Sequence, residues 1–176
     1  MIEAYAEVNV PLAIREQISS LLDEAFPAVF EDRTYFKQWP HQRLVAVKDR
    51  KVVGQLGLDY RAIRVGDQVI GISGIIDLCV RRTHQGNGIG SALLQRAEIH
   101  AREGNVPFMV LMADKPDLYK RNGFVNIHPA FTKWLGIEDR ASNSLIDRDL
   151  SDCFMAKALT NVSWPSGTID LLGYLF

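Results

Sequence analysis

Apolar and polar residues alternate through IEAYAEV (Ile2 to Val8), the period of a half-buried strand. From Pro11 the rhythm changes. Leu12, Ile18, Leu21, Leu22, Ala25 and Phe26 fall near helical intervals, and Pro11 suits a first helical turn. Pro27 to Gln42 mixes aromatic residues, charges and two prolines without a period, which predicts a loop with short helical pieces. Leu44 to Val47 and Val52 to Tyr60 predict a hairpin turning at Asp49–Arg50, and Val65-Gly66-Asp67 the next turn. Gln68 to Val80 is almost continuously apolar, as suits a strand buried on both faces. Ile89, Leu93, Leu94, Ala97 and Ala101 then predict a helix from Gly88 to Glu103, stopped by Gly104. Pro107 to Ala113 is the next buried strand, so the order is strand, glycine-rich turn, helix, strand: a parallel βαβ crossover.

Further on, the pattern predicts a short helix near Asp117 to Arg121 and strands in GFVNI (Gly123 to Ile127) and in Cys153 to Leu159. His128 to Asp152 is polar and receives no element. The terminal IDLLGYLF (Ile169 to Phe176) is apolar and strand-like, and left uncovered it would be an aggregation-prone edge. It therefore predicts either an added sheet strand or a homodimer. A single α/β domain over residues 1–176 is the expected organisation.

Composition narrows the function classes. The formal net charge is −1, so neither nucleic acid nor an anionic membrane is expected as a partner. No apolar run approaches the roughly 20 residues of a membrane helix. Acidic residues open the chain and no cation precedes Arg15, unlike a signal peptide, so a cytoplasmic protein is expected. Cys79 and Cys153 both sit in apolar runs and read as buried, reduced thiols, and no His/Cys/Asp/Glu spacing suggests a metal.

One stretch calls for a separate explanation. RRTHQGNGIGSALL (Arg81 to Leu94) places Gly86, Gly88 and Gly90 at the head of the central helix, although glycine loses more entropy on folding than any other residue. The first amides of a helix lack internal acceptors, and the aligned peptide dipoles make that end partly positive. A loop free of Cβ atoms lets those amides close on an anion, so Gln85 to Ser91 predicts a phosphate or pyrophosphate cradle. The lysine of a P-loop is missing, and the spacing is G-x-G-x-G rather than the dinucleotide G-x-G-x-x-G.

LCVRRTHQGNGIGSALL (Leu78 to Leu94) resembles the acyl-coenzyme A binding motif of the GNAT acetyltransferases, Q/R-x-x-G-x-G/A. DLYKRNGF (Asp117 to Phe124) resembles that family's second signature, a tyrosine followed by a short helix and Gly-Phe. FMAKAL (Phe154 to Leu159) is similar to its late strand. The resemblance covers about Arg43 to Leu159. It implies a mixed, mostly antiparallel sheet with a central parallel βαβ splay, flanked by helices. It also implies an acetyl-coenzyme A-dependent N-acetyltransferase. Pantetheine would lie along the main chain of Leu78, Cys79 and Val80, and the pyrophosphate on Gln85, Gly86, Asn87, Gly88, Ile89, Gly90 and Ser91. Tyr119, at the tyrosine position of the second signature, would protonate the departing thiolate.

The attacking amine needs a proton acceptor, since on the order of one primary amine in a thousand is unprotonated at neutral pH. Asp77 is a carboxylate inside an apolar strand, where burial raises the pKa, and is the candidate base; an internal ion pair is the alternative. Glu31, Asp32 and His41, in the loop that would roof the acceptor, read as surface residues rather than as the base. Arg81, Arg82 and His84 precede the cradle and face phosphates or solvent. Tyr35, Phe36, Trp39 and Trp134 form either an aromatic acceptor pocket or core, and acidic Glu31 and Asp32 favour a cationic small-molecule or peptide amine. NVSWPSGTID (Asn161 to Asp170) faintly resembles the tail of nodulation N-acyltransferases, which keeps a longer acyl donor open. A non-catalytic acyl-coenzyme A binding module is the other alternative.

Overall fold

The computed structural model describes residues 1–138 and 141–176, which fall into two compact units. Unit 1 comprises Met1–Asp59 and Ile75–Ile99, and unit 2 comprises Tyr60–Gly74 and His100–Phe176.

In unit 1, strand β1 (Ile2–Ala6) runs antiparallel to β2 (Gln42–Lys48), and β2 runs antiparallel to the first part of β3 (Lys51–Val65). The β2–β3 turn is Asp49–Arg50, both at positive φ (49° and 61°). That double left-handed turn matches the twist of a two-residue hairpin. Helix α1 (Leu12–Ala25) buries Ile18, Leu21 and Leu22, which pack with Phe30, Val45, Val52 and Cys79. Leu12, by contrast, is exposed in the first turn.

Inside this unit lies a polar chain. Arg43 is 0% exposed and Glu7 3% exposed. The Arg43 guanidinium donates to Glu7 Oε2 (2.8 Å), to Gln55 Oε1 (2.6 Å) and to the Thr34 carbonyl (2.7 Å). Arg15 reaches the same Glu7 carboxylate at 3.1 Å and its carbonyl at 2.8 Å. A guanidinium can only donate, so the Gln55 oxygen must face Arg43 and its NH2 must point the other way. That NH2 donates to the Asp77 carbonyl.

In unit 2, the first part of β4 (Gln68–Val80) pairs in parallel with β5 (Phe108–Met112) through Ile72–Gly74. β5 pairs antiparallel with β9 (Phe154–Ala158), which also carries the short β6 (Val125–Asn126). In chain order, helix α2 (Ile89–Glu103) begins in unit 1 and ends in unit 2, and the short helix α3 (Asp117–Arg121) comes after β5. The long strand, the helix and β5 stand where the sequence pattern places them. Ladders in the two units are mostly antiparallel, so the fold is the mixed, mostly antiparallel α/β class expected from the sequence.

One feature differs from the sequence reading, and a second takes one of the two alternatives that reading left open. The polar segment after His128 forms a hairpin of β7 (Phe131–Glu138) and β8 (Ala141–Asp149). Thr132, Trp134 and Gly136 take the inward positions of β7, and two of these three are not hydrophobic anchors. β8 is nearly all exposed and is held by its ladder, so neither strand announces itself by hydropathy. The apolar tail, β10 (Ile169–Tyr174), lies between β3 and β7, antiparallel to one and parallel to the other. It is a covered interior strand, and the argument for a dimer from an open edge falls away. Trp134 is buried in this unit's core and Trp164 packs edge-on against Phe108 and Phe154 at 5.1 and 5.9 Å. Core packing therefore accounts for Trp134, and for Trp164 without the nodulation likeness.

Replacing Arg43 by Met leaves Glu7 buried without its main partner. The expected loss is about 3–5 kcal/mol of unfolding free energy, read from urea midpoints at constant m.

Candidate functional site

The site in unit 1 starts from β4. Asp77 adopts φ 53°, a left-handed conformation in the middle of an extended strand. Asp tolerates that region better than most residues, and the Gln55 amide bonded to its carbonyl holds the peptide there. Its carboxyl is half-buried and has no hydrogen bond or ion pair among the described residues. Burial pushes its pKa up from 3.8 to about 6, against the opposing pull of Arg43. Two residues on, Cys79 is buried and its thiol is pushed up to about 12, chiefly by desolvation. A thiol that stays protonated is no nucleophile at neutral pH. Cys153, expected buried as well, is half-buried, and its thiol pKa is also raised mainly by burial.

After Val80 a short 3-10 turn (Arg82–His84) delivers the chain to the glycine loop. Gly86 and Gly88 have φ 77° and 76°, and a Cβ built on either meets nothing within 4 Å. Their glycine identity is therefore set by backbone conformation rather than by crowding within the protein, and open space lies in front of them. The first helical bond runs from Ala92 N to the Gly88 carbonyl (2.9 Å), so Gly88 caps α2 and the amides of Ile89 and Gly90 lead it. The loop's own side chains turn inward. Gln85 donates to the Val80 carbonyl (2.9 Å), and Asn87 to the carbonyls of His84 (3.2 Å) and Gln85 (3.3 Å). Side-chain donors thus occupy the carbonyls of Val80, His84 and Gln85.

The flanking cations separate. Arg81 is a structural residue: it bonds the Val52 carbonyl (3.0 Å) and pairs with Glu24 (2.9 Å), whose other oxygen accepts from the Arg82 amide (3.2 Å). Arg82 itself is exposed and has no ion pair among the described residues. It is an exposed cation next to the glycine loop. His84 shares a 2.9 Å contact with Thr83 Oγ1.

Two further features of unit 1 border the α1–β2 loop. A cavity of about 430 Å³ is lined by Arg15, Glu16 and Ser19 of α1 and by Asp32, Tyr35 and Trp39 of the loop. Tyr35 and Trp39 meet edge-on at 5.9 Å. Arg15 is already held by Glu7, whereas Glu16 and Asp32 form no ion pair among the described residues. Phe36 leans on Phe30 instead (6.3 Å), so the expected aromatic pocket keeps Tyr35 and Trp39 but not Phe36 or Trp134. The second feature is Asp59, 2% exposed, with Oδ1 3.2 Å from Nδ1 of His41. Sequence reading passed over Asp59, although the signal that flags Asp77, a carboxylate within an apolar run, is equally present in LGLDY.

Tyr119 belongs to unit 2, on α3. The Asn122 and Phe124 amides donate to its carbonyl (2.9 and 3.1 Å), and Gly123 at φ 86° turns the chain back. The Phe124 ring thereby seats edge-on to Tyr119 at 6.2 Å. The Tyr…Gly-Phe signature is thus a helix-ending turn that fixes the tyrosine. Among the described residues, no group of three or more His, Cys, Asp or Glu could hold a metal ion, and no helix is long and apolar enough to cross a membrane.

Comparison with known proteins follows the same line. The family model of the acetyltransferase (GNAT) domain matches residues 12–126, well over half of the chain. No curated protein matches it. Among solved structures, the Escherichia coli GNAT family N-acetyltransferase YhbS in complex with CoA is 19% identical with a TM-score of 0.68, covering 97% of this chain and 88% of that one. A Brucella melitensis GNAT family acetyltransferase in complex with acetyl-CoA is 18% identical with a TM-score of 0.60, covering 96% and 94%. Eis1 of Mycobacterium abscessus is 18% identical with a TM-score of 0.63; it covers 74% of this chain, which spans only 33% of it. At these identities the likeness is one of fold.

The Asp77 carboxyl gives a direct test. The unfolded chain releases this proton near 3.8 and the folded one at about 6, so between them the native state holds more protons. Stability from this group is therefore full below pH 4 and lost as pH rises through about 6. Asp77→Asn should be more stable than the parent at pH 7 and equal to it at pH 4, in urea melts across that range. The carboxyl carbon should titrate near pH 6 by NMR.

Proposed function

The chain belongs to the GNAT acetyltransferase family, and from that premise we propose that it moves an acetyl group from acetyl-coenzyme A to a primary amine by direct attack. The observation that carries this reading is the cradle. Two left-handed glycines with open space before them present main-chain amides at the head of a fifteen-residue helix, inside the matched segment. Such an end is suited to a diphosphate. That two similar folds were solved with CoA or acetyl-CoA bound supports the same ligand here.

On this reading Gln85 to Ser91 hold the pyrophosphate, Arg82 lends it a positive charge, and the main chain of Leu78 to Val80 receives pantetheine. Tyr119 protonates the leaving thiolate. Asp77 is an available proton acceptor, since a carboxyl with a pKa of about 6 is largely ionised at neutral pH. The inert Cys79 argues against an acetyl-cysteine intermediate and so for transfer within a ternary complex. A cationic acceptor is favoured by the cavity beside Trp39. Its aromatic faces and the carboxylates of Glu16 and Asp32 suit an ammonium group.

Calorimetry with acetyl-coenzyme A should give one site per chain. Gly88→Val forces a branched side chain into φ 76°, so it should cost about 1–3 kcal/mol of stability by urea melt and, in the chain that still folds, weaken that affinity at least about tenfold. Thiol release with a panel of amines should follow, and Tyr119→Phe should lower it about 100-fold with acetyl-coenzyme A affinity retained. Binding with no thiol release from any amine would leave a binding module. Preference for long-chain acyl donors would shift the donor class.

A further inference from the structure

The α1–β2 loop turns back on helix α1 just after Phe30. Glu31 and Asp32 both take left-handed backbone (φ 51° and 64°), and the Asp32 amide donates to Oδ1 of Asp23 on the helix (3.4 Å). The cavity of about 430 Å³ is lined by these two elements alone, and every lining residue belongs to unit 1. Its acidic groups come one from each element: Glu16 from α1 and Asp32 from the loop. Neither carboxylate has an ion-pair partner among the described residues. The arginine next to each in the chain is held by other acceptors. Arg15 bonds the Glu7 carboxylate and carbonyl. Arg33 pairs with Glu31 (3.6 Å) and donates to the carbonyls of Phe30 (2.7 Å) and Val29 (3.3 Å).

The rest of the lining includes open apolar surface. Leu12 and Trp39 are 71% and 55% exposed, and Tyr35 meets Trp39 edge-on. Thr34 supplies an independent pointer to a ligand. It is only 7% exposed, and its carbonyl is taken by Arg43, while its hydroxyl has no hydrogen-bond partner among the described residues. Among those residues, the side-chain atoms both sealed from solvent and unpartnered are Ser73 Oγ and His100 Nε2. The Thr34 hydroxyl therefore still meets open space, and the space its residue lines is this cavity. A hydroxyl so deeply set gains from a donor brought in by a ligand.

Two carboxylates without counter-ions call for two positive charges. An ammonium offers three donors, enough for a carboxylate and the Thr34 oxygen together. A hydrocarbon body suits Leu12, and an alkylammonium suits the face of Trp39. A single ammonium would leave one carboxylate unanswered, and an anionic group on the ligand would have to share Arg15 with Glu7.

We propose that this cavity binds a chain diamine, with one ammonium at Glu16, the other at Asp32 and the methylenes on Leu12 and Trp39. The further step of treating that ligand as the acyl acceptor rests on the acetyl-transfer reading; its binding does not.

Trp39 is the reporter, because Trp134 and Trp164 belong to the packing of unit 2. Putrescine titrated into the full chain should change the tryptophan fluorescence saturably, and Trp39→Phe should abolish that change. By calorimetry, putrescine should bind at least about tenfold more tightly than butylamine or γ-aminobutyric acid, whose second end is uncharged or anionic. Glu16→Gln and Asp32→Asn, both at exposed positions, should each weaken putrescine about tenfold with the urea midpoint unmoved. Asn keeps the left-handed backbone that Asp32 adopts. Equal affinity for putrescine and butylamine would overturn the proposal, as would tighter binding of γ-aminobutyric acid or putrescine binding that survives both charge-removing variants. If putrescine binds as expected but acetyl-coenzyme A yields no thiol with it or with any amine, the acetyl-transfer reading fails and the diamine site stands. If amines release thiol while putrescine shows no preferred binding, this proposal fails and that reading stands.

Discussion

A fully buried guanidinium organises unit 1, the part of the chain that holds Asp77 and the glycine loop. Arg43 cannot shed its charge, and every donor placed in that interior needs an acceptor. Glu7, Thr34 and Gln55 supply them, drawing the end of β1, the α1–β2 loop and β3 onto one point. Gln55 passes the constraint on. With its oxygen committed to Arg43, its NH2 has a single direction left, and the Asp77 carbonyl meets it. A left-handed residue inside a strand is costly by itself, and this hydrogen bond is what over-determines it.

Three carboxylates of unit 1 show how surroundings assign different tasks to one functional group. Glu7 is ion-paired with two arginines and serves the fold. Asp59 stands 3.2 Å from the His41 imidazole. Asp77 has neither kind of partner among the described residues, and burial alone raises its affinity for a proton. The chemistry at each is decided by what stands opposite, which sequence position does not state.

The glycine loop follows a separate logic. Neither Gly86 nor Gly88 is pressed by a neighbour, so nothing in the protein itself forbids a larger residue on grounds of space. Positive φ is the requirement, and the Gln85 and Asn87 side chains bond the carbonyls of Val80, His84 and Gln85. Arg81, locked between Val52 and Glu24, anchors the start of the loop and leaves Arg82 as its solvent-facing cation.

The sequence alone determined whatever is written in short-range order. The hairpin turn at Asp49–Arg50, the span of Gln68–Val80, the helix led by Gly88 and the turn that follows Tyr119 all arise from local periodicity and local backbone freedom. Tertiary structure decided what depends on facing partners. β7 and β8 exist because a ladder satisfies their backbone, with Thr132 and Gly136 at inward positions that hydropathy does not count. The apolar tail became an interior strand because β3 and β7 offered it two open edges. Arg43, Asp59 and His41 were ordinary letters in the chain until the fold set each against its partner. Burial and pairing act through space, and a linear pattern records only which residues are available for them.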